Sequence, residues 1–278
     1  MALIETLRKL RHGPLKWAAP AWAWQIAGNL YRSSPALKFF AKSAKHSIGS
    51  YGPFVLDPEF AFSDFSNWGG AHNGGFVECV EACRGAQCVI DVGAHIGLVS
   101  LPVSSVVSDG GRVVAFEPSK ANYEHLLSHI TKNNIDNITP LDWLVGDTIE
   151  EAVDFFEMDG ATGMNSVVEP KKGEGFARTT RKQTSLDGLC NERGLVPDVI
   201  KIDVEGAELA VLNGAREIIL KAKPKIFLSV HPSQIAALGR SVDDLVSLVD
   251  SLGYTFLEPN GDAVGQIGFS EYLLVQKV

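Results

Sequence analysis

Two carboxylates and a turn with two glycines are the residues of this chain best suited to holding a ligand. The apolar run 89–92 carries Asp91 and leads into the turn 93–97, and a second apolar run, 113–116, ends at Glu117. In an open parallel sheet, such a turn lets the backbone approach a nucleoside, and a carboxylate at the end of the next strand accepts hydrogen bonds from ribose hydroxyls. The spacing therefore predicts a nucleoside pocket.

The residues of the turn narrow the choice of nucleoside. Sites for dinucleotides use Gly-x-Gly-x-x-Gly, in which the backbone packs around a pyrophosphate. Here the turn reads Gly93-Ala94-His95-Ile96-Gly97, so an imidazole stands where the middle glycine would be. A nucleoside without a pyrophosphate, such as S-adenosylmethionine, fits this turn better. We expect the backbone of His95, rather than its ring, to contact the ligand.

A second group of titratable side chains follows two later apolar runs. Asp203 and Glu205 come directly after the run 199–202, and His231 comes directly after the run 225–230. Paired carboxylates at the end of a strand usually hold a ligand, a metal ion or a proton, and the imidazole pKa suits proton transfer near neutral pH. We expect His231 first, and Asp203 second, to act as a general base, although a lone histidine can equally be structural. No metal site is expected.

A doubly wound sheet would bring these side chains together. From residue 87 onward, apolar runs alternate with amphipathic segments, which predicts an α/β fold with a mostly parallel, seven-stranded sheet and helices on both faces. The last two strands have no helix between them and are expected to pair as an antiparallel hairpin at the edge. Strands are predicted at 87–92, 112–116, 138–142, 152–157, 198–203, 225–230, 254–258 and 271–277.

The helices between these strands carry several recognisable signals. They are predicted at 97–107, 119–133, 207–221 and 241–252. Pro102 requires a late start or a kink in the first of them, because proline costs about 3 kcal/mol in a helix interior. Ser119 and Ser241 are the expected N-caps. Glu208 lies in the first turn of the third helix, where it would complement the helix dipole.

The first 86 residues predict two accessory segments before the main domain at 87–278. Residues 1–50 are basic, rich in tryptophan and too interrupted for a membrane span, which predicts a helical extension. Two interpretations of it stay open: helices that cap the main domain or form a homodimer face, and helices that rest on a membrane surface. Residues 51–86 form either a packed connector or a lid, whose aromatic, glycine-rich part makes Trp68 and Asn73 candidate substrate contacts beside Glu205.

Composition excludes some classes of function. The net charge of −8 argues against a nucleic-acid partner. One basic cluster stands near several glycines and is interpreted as a solvated loop: Lys171, Lys172, Arg178, Arg181 and Lys182. The cysteines have no metal-binding spacing and are expected to be buried, reduced thiols in a cytoplasmic protein, on the cytoplasmic face of a membrane if the N-terminus docks there: Cys79, Cys83, Cys88 and Cys190.

Over about residues 87–260, the chain resembles the class I S-adenosylmethionine-dependent methyltransferases of the FkbM family. The likeness rests on five motifs that follow one another in the family's order. They lie at 90–97, 115–118, 142–147, 184–187 and 200–208. His95 stands where the family usually has an asparagine, a change that binding through the backbone tolerates. The first 60 residues match no family.

The resemblance implies methyl transfer from S-adenosylmethionine to a hydroxyl group, often one on a sugar, a lipid-linked saccharide or a natural product. It implies that Asp91, Gly93 and Gly97 line the methionine end of the cofactor, with Ala94 and His95 in the same turn. It also implies that Glu117 holds the ribose.

The same resemblance would place Asp142 and Trp143 near the adenine and Asp203 beside the reacting centre.

Three alternatives to this function stay open. The first is a non-catalytic protein that keeps the pocket and docks on a membrane or a partner through its N-terminus. The second is a nicotinamide-dependent oxidoreductase, which the missing glycine disfavours. A nucleic-acid or protein methyltransferase ranks last, because the charge is wrong and the motif expected for transfer to the amino groups of bases is absent.

Overall fold

The computed structural model describes residues 43–70, 73–171 and 173–277, together with Pro20 and Ala23. The strands are β1 (Ala44–Ile48), β2 (Tyr51–Leu56), β3 (Cys88–Val92), β4 (Arg112–Phe116), β5 (Ile138–Leu141), β6 (Leu144–Val145), β7 (Glu150–Glu157), β8 (Ala177–Thr184), β9 (Val199–Ile202), β10 (Lys225–Val230), β11 (Tyr254–Leu257) and β12 (Ser270–Gln276). The helices are α1 (Phe76–Ala82), α2 (Ser100–Ser104), α3 (Lys120–Lys132), α4 (Leu186–Arg193), α5 (Glu208–Asn213), α6 (Arg216–Ala222), α7 (Pro232–Ala237) and α8 (Val242–Ser251). A 3-10 turn covers Pro58–Phe60.

Seven strands form a central sheet in the order β11-β12-β10-β9-β3-β4-β5. The strands from β10 to β5 pair in parallel, whereas β12 is antiparallel to both β10 and β11. Successive side chains of a strand face opposite sides, so Ile90 packs into one hydrophobic cluster with α4 to α8, and Val89 packs into another with α1 to α3. The predicted doubly wound fold with an antiparallel edge hairpin is confirmed.

One helix prediction needs correction, and one N-cap prediction holds for position alone. The segment 207–221 is two helices, α5 and α6, which separate at Gly214, where a Cβ would lie 1.9 Å from the carbonyl oxygen of Gly146. Ser119 occupies the N-cap position of α3, but its side chain makes no capping hydrogen bond. By contrast, Ser241 forms a capping box with Asp244, and α2 begins late, at Ser100, as Pro102 required.

A separate three-stranded sheet, β6-β8-β7, was not predicted. The solvated-loop interpretation of the basic cluster is wrong for Arg178, Arg181 and Lys182, which lie on β8. Arg178 forms an ion pair with Asp154, and Arg181 forms one with Glu157 at 2.7 Å. Cross-strand ion pairs rather than alternating apolar residues mark this strand, so hydrophobic periodicity could not detect it.

The predicted strand at 152–157 corresponds to β7 and therefore lies in the small sheet, outside the central one. The strands β1 and β2 form a hairpin whose turn contains residue 50. The predicted boundary between the segments 1–50 and 51–86 therefore falls inside this hairpin. The helices predicted within residues 1–50 fall almost wholly outside the described residues.

Among the described residues, no helix combines the length and hydrophobicity needed to cross a bilayer. The four cysteines are buried free thiols, as predicted.

Candidate active site

A cavity of about 630 Å³ opens at the carboxyl ends of the parallel strands. It lies where the strand order reverses, between β3 and β9, which is the place where doubly wound sheets bind ligands. One wall consists of the turn after β3 and the end of β4. The opposite wall consists of the residues that follow β9 and β10 and of the beginning of β12.

The glycine turn after β3 holds its backbone against the neighbouring strand. Gly93 has a φ of +85°, and a Cβ at this position would lie 1.9 Å from the carbonyl oxygen of Asp203. Neither the conformation nor the space suits any residue but glycine. His95 follows with a φ of +52°, and its N–H donates to Oε2 of Glu117 at 2.7 Å. The turn is thereby tied to the carboxylate at the end of β4.

Glu117 is a buried carboxylate that lines the cavity. Besides the bond from His95, it accepts hydrogen bonds from the N–H of Ser119 at 2.9 Å and from Nδ2 of Asn122 at 3.2 Å. Burial raises the pKa of Glu117 to about 7, and these three hydrogen bonds oppose the shift. Two of the three donors occupy Oε1, so Oε2 keeps a lone pair that can accept a hydroxyl donor of a nucleoside.

His231 is held from behind by a buried carboxylate. Its Nδ1 lies 2.8 Å from Oε1 of Glu208, and its backbone N–H donates to the same oxygen at 3.1 Å. The other ring nitrogen, Nε2, lies 3.6 Å from Glu205 and 3.8 Å from Asp203 at the cavity wall. An imidazole that a carboxylate orients, with its second nitrogen toward a ligand cavity, is equipped to remove a proton.

Two histidines line this cavity, and their pKa values differ. Burial lowers the pKa of His231, but the hydrogen bond to Glu208 and the charges of Glu205 and Asp203 outweigh it, so the net pKa is raised. Burial lowers the pKa of His95 to about 4. The ring of His95 is therefore neutral and weakly basic, whereas His231 is the stronger base.

A buried lysine joins the two central strands of the site. Nζ of Lys201 lies 3.3 Å from Oδ2 of Asp203 and 3.9 Å from Oδ1 of Asp91. Burial alone would lower the pKa of Lys201, but the charges of Asp203, Asp91 and Glu271 raise it, so the side chain is an ammonium ion. Asp91 also accepts a hydrogen bond from Oγ of Ser100 at 2.6 Å. Asp91 thus anchors the wall from behind the cavity.

Glu271, at the beginning of β12, is a half-buried carboxylate that also lines the cavity. Its Oε2 accepts a hydrogen bond from Oγ of Ser229 at 3.3 Å, whereas its Oε1 is buried and has no hydrogen-bond partner among the described residues. Burial raises the pKa of Glu271 to about 7. A buried oxygen without a partner, facing a cavity, is a place where a ligand or a water molecule donates.

The segment between β7 and β8 bridges the two walls. Asn122 exchanges two hydrogen bonds with the backbone of Thr162, at 2.9 and 3.1 Å. Oγ of Ser166 donates to the carbonyl oxygen of Glu205 at 2.5 Å. This segment therefore contacts the side of Glu117 and the side of His231 at once.

The cavity brings together most of the residues that the sequence singled out. Those that line it are Trp68, Asn73, Gly93, Ala94, His95, Glu117, Trp143, Asp203, Glu205 and His231. Three others do not line it. Asp91 and Gly97 lie behind the wall, where Gly97 has a φ of +94° beside Leu126, and Asp142 is exposed to solvent.

Sequence reasoning missed three charged residues of the site. Interpreting Glu208 as a complement to the helix dipole overlooked its contact with His231, because its burial depends on how α5 docks. Lys201 and Glu271 were not considered. Both lie within largely apolar strands, β9 and β12. A charge inside an apolar strand must find a partner, and that signal could have identified them.

The fold is Rossmann-like, and its cavity lies at the carboxyl ends of the parallel strands, where a titratable histidine and several carboxylates line it. The sequence matches the family described as "Methyltransferase FkbM domain" over residues 91–256. This chain belongs to the FkbM methyltransferase family, and its cofactor is S-adenosylmethionine. The glycine turn, which leaves no room for a Cβ, and the buried carboxylate Glu117 fit that cofactor.

Several solved structures resemble this chain. An FkbM methyltransferase from Methylobacillus flagellatus KT is 20% identical, with a TM-score of 0.43, over 69% of this chain and 44% of that one. The chain thus spans less than half of that protein. The O-methyltransferase from Bacillus cereus, in complex with SAH, is 16% identical, with a TM-score of 0.42, over 74% of this chain and 84% of that one.

The O-methyltransferase TomG from Streptomyces achromogenes, involved in tomaymycin synthesis and solved with SAM, is 13% identical, with a TM-score of 0.43, over 73% of this chain and 79% of that one. No curated protein matches the sequence significantly.

Proposed function

We propose that this protein transfers the methyl group of S-adenosylmethionine to a hydroxyl oxygen of a small acceptor, such as a sugar, a lipid-linked saccharide or a natural product. The observation that carries the proposal is the pairing of His231 with Glu208 at the cavity wall. Transfer to a hydroxyl needs such a base, because a hydroxyl group is a poor nucleophile until its proton leaves. A thiol or an amine would need one far less.

The cofactor would lie along the wall that the glycine turn and Glu117 form. The backbone of Gly93 and His95 would face its methionine part, and Glu117 would accept hydrogen bonds from the ribose hydroxyls. We assign the adenine contact to Trp143 alone, which lines the cavity and has Nζ of Lys182 at 4.6 Å from its ring centroid. Asp91 and Gly97 would support this wall from behind.

The acceptor would lie on the wall of His231, with Trp68, Asn73 and Glu205 as further contacts. When bound, the cofactor supplies a methyl group on a sulfonium, which leaves as a neutral thioether. Nε2 of His231 would take the acceptor's proton as the oxygen attacks, and Glu208 would stabilise the resulting imidazolium ion. Asp203, which is paired with Lys201, is the second candidate for the general base.

The proposal is tested by supplying S-adenosylmethionine with a carbon-13 methyl group and a panel of monosaccharides and hydroxylated natural products to the purified full chain. NMR spectra of the products are expected to contain a labelled methyl ether. A labelled N-methyl or C-methyl product without any ether would overturn hydroxyl specificity and leave the methyltransferase class intact. A cavity variant, Glu117→Ala, serves as the blank.

Affinity for the cofactor is expected to depend on pH through Glu117. Its pKa is raised to about 7, and the ionised carboxylate accepts ribose hydroxyls better than the protonated acid does. Lowering the pH through that value should therefore weaken binding, by about tenfold between pH 8 and pH 6. Calorimetric titration at several pH values measures the effect.

Two isosteric variants assign this pH dependence. Glu117→Gln should bind weakly at every pH, with the dependence gone. Glu271→Gln removes the other carboxyl whose pKa burial raises to about 7, and it should keep the dependence. The reverse pattern would assign the pH effect to Glu271 and argue against ribose binding at Glu117.

A further inference from the structure

A polar cluster lies outside the cavity, where the 3-10 turn Pro58–Phe60 meets α3. Asp57 precedes the turn, and His125 and His129 lie four residues apart on one face of α3. Each offers one ligand atom, and these three atoms lie within 4.8 Å of one another. We propose that Asp57, His125 and His129 form a binding site for a transition-metal ion such as Zn²⁺ or Co²⁺.

The three candidate ligand atoms lie close together. Nδ1 of His125 lies 2.5 Å from Oδ2 of Asp57, and Nε2 of His129 lies 3.6 Å from the same oxygen. Two imidazoles and one carboxylate are a ligand set that suits divalent transition metals and leaves coordination positions open to water. Hard cations such as Mg²⁺ prefer oxygen ligands, so this set disfavours them.

The nitrogen that would not bind metal has an acceptor in each histidine. Nε2 of His125 lies 3.3 Å from Oε2 of Glu59, and Nδ1 of His129 donates to the carbonyl oxygen of Ile96 at 2.8 Å. Such outer partners fix the tautomer that points a lone pair at the metal, and they are typical of metal-binding histidines. The cluster thus has an outer shell as well as three ligands.

Without a metal, the side chains of His129 and Asp57 accept hydrogen bonds from donors of the protein. The N–H of Asp57 donates to Nε2 of His129 at 2.9 Å, and Oδ1 of Asp57 is held by Oγ of Ser128 at 2.7 Å and by Nζ of Lys132. A metal would displace the first of these bonds and a proton from His125, and Oδ1 would keep its two donors. The nearby ammonium group of Lys132 opposes a second cation, which predicts moderate rather than very tight affinity.

The cluster is reachable and connects distant parts of the fold. The His125 side chain is 18% exposed and that of Glu59 is 25% exposed, whereas that of His129 is fully buried. Because His129 is bonded to Ile96 in the glycine turn, a metal would fasten the segment before α1 to α3 and to the cofactor turn. Metal binding to the folded chain should therefore raise its thermal unfolding midpoint.

The experiment titrates the full chain, freed of metal by a chelator, with Co²⁺ followed by visible absorption and with Zn²⁺ followed by calorimetry. One equivalent should bind, and Zn²⁺ should displace Co²⁺. His125→Gln should weaken binding by about 100-fold or more, and the outer-shell change Glu59→Gln by about tenfold. Lys132→Met should strengthen binding by about tenfold, because it removes the competing cation.

His231→Gln is the matched control, since His231 also lies close to two carboxylates, those of Asp203 and Glu205, and could attract an added metal. Binding that is lost in His231→Gln and kept in His125→Gln would overturn the proposal, as would a wild-type chain that binds no equivalent of either metal. If His125→Gln does not fold by circular dichroism, the other two variants decide. Affinities unchanged in both Glu59→Gln and Lys132→Met would contradict the site.

Discussion

Replacing His231 with glutamine is expected to lower kcat for methyl transfer by about 100-fold or more, the usual contribution of a positioned general base. The ring lies on the wall opposite Glu117 and the glycine turn, with Nε2 3.6 Å from Glu205. Affinity for S-adenosylmethionine should therefore stay within about threefold of the wild-type value. Steady-state kinetics and calorimetric titration measure the two quantities, and an unchanged kcat would remove His231 from the mechanism.

Glu208→Gln provides the matched variant for this prediction. The Glu208 side chain hydrogen-bonds to His231, and this bond is among the interactions that raise the pKa of that ring. A base works when it is deprotonated, so activity should rise with pH through the pKa of His231. Removing the charge of Glu208 lowers that pKa, and the rising limb of the pH–activity profile should therefore move to lower pH. A purely structural Glu208 would lower the activity without moving the limb.

The parts of the site that the sequence predicted are those whose chemistry is local. Gly93 and Glu117 follow apolar runs, and the carboxyl ends of parallel strands meet at one edge whatever the details of packing. The same reasoning placed Asp203 and His231 at that edge, after β9 and β10. Spacing alone therefore placed these four residues at the cavity, although it did not separate them from Asp142, which also follows a strand but is exposed.

The parts that the sequence did not predict depend on how elements dock. Glu271 reaches the cavity because β12 inserts antiparallel between β10 and β11, which brings its first residues beside Ser229. Glu208 reaches His231 because the first turn of α5 packs inward rather than toward solvent. No local sequence pattern indicates either contact, because the same residues would form the same pattern in an exposed strand or helix.

The strand β8 was not predicted from the sequence, for another physical reason. Its sequence alternates little in hydrophobicity, and most of its residues are at least partly exposed. Arg181 is satisfied by Glu157 and by the carbonyl oxygen of Pro118, which come from other elements. A strand stabilised in this way can be recognised only when its partners are in place.

Gly93→Ala is expected to abolish cofactor binding. A Cβ there would lie 1.9 Å from the carbonyl oxygen of Asp203, and β3 and β9 pair through their last residues, so neither strand can move aside alone. The turn would have to shift, and with it the N–H of His95 that donates to Glu117. We expect a loss of stability on the order of 4 kcal/mol, the range reached when a substitution strains a packed backbone.

Gly110→Ala separates this collision from the cost of backbone conformation. Gly110 also has a positive φ, +75°, but a Cβ there would meet nothing within 4 Å. Alanine at Gly110 should therefore cost only the left-handed penalty of about 1–2 kcal/mol and leave cofactor binding unchanged. Urea unfolding and calorimetric titration compare the two variants. Equal losses of stability with binding intact in both would mean that the turn tolerates a side chain, and that the cofactor does not depend on its close approach to Asp203.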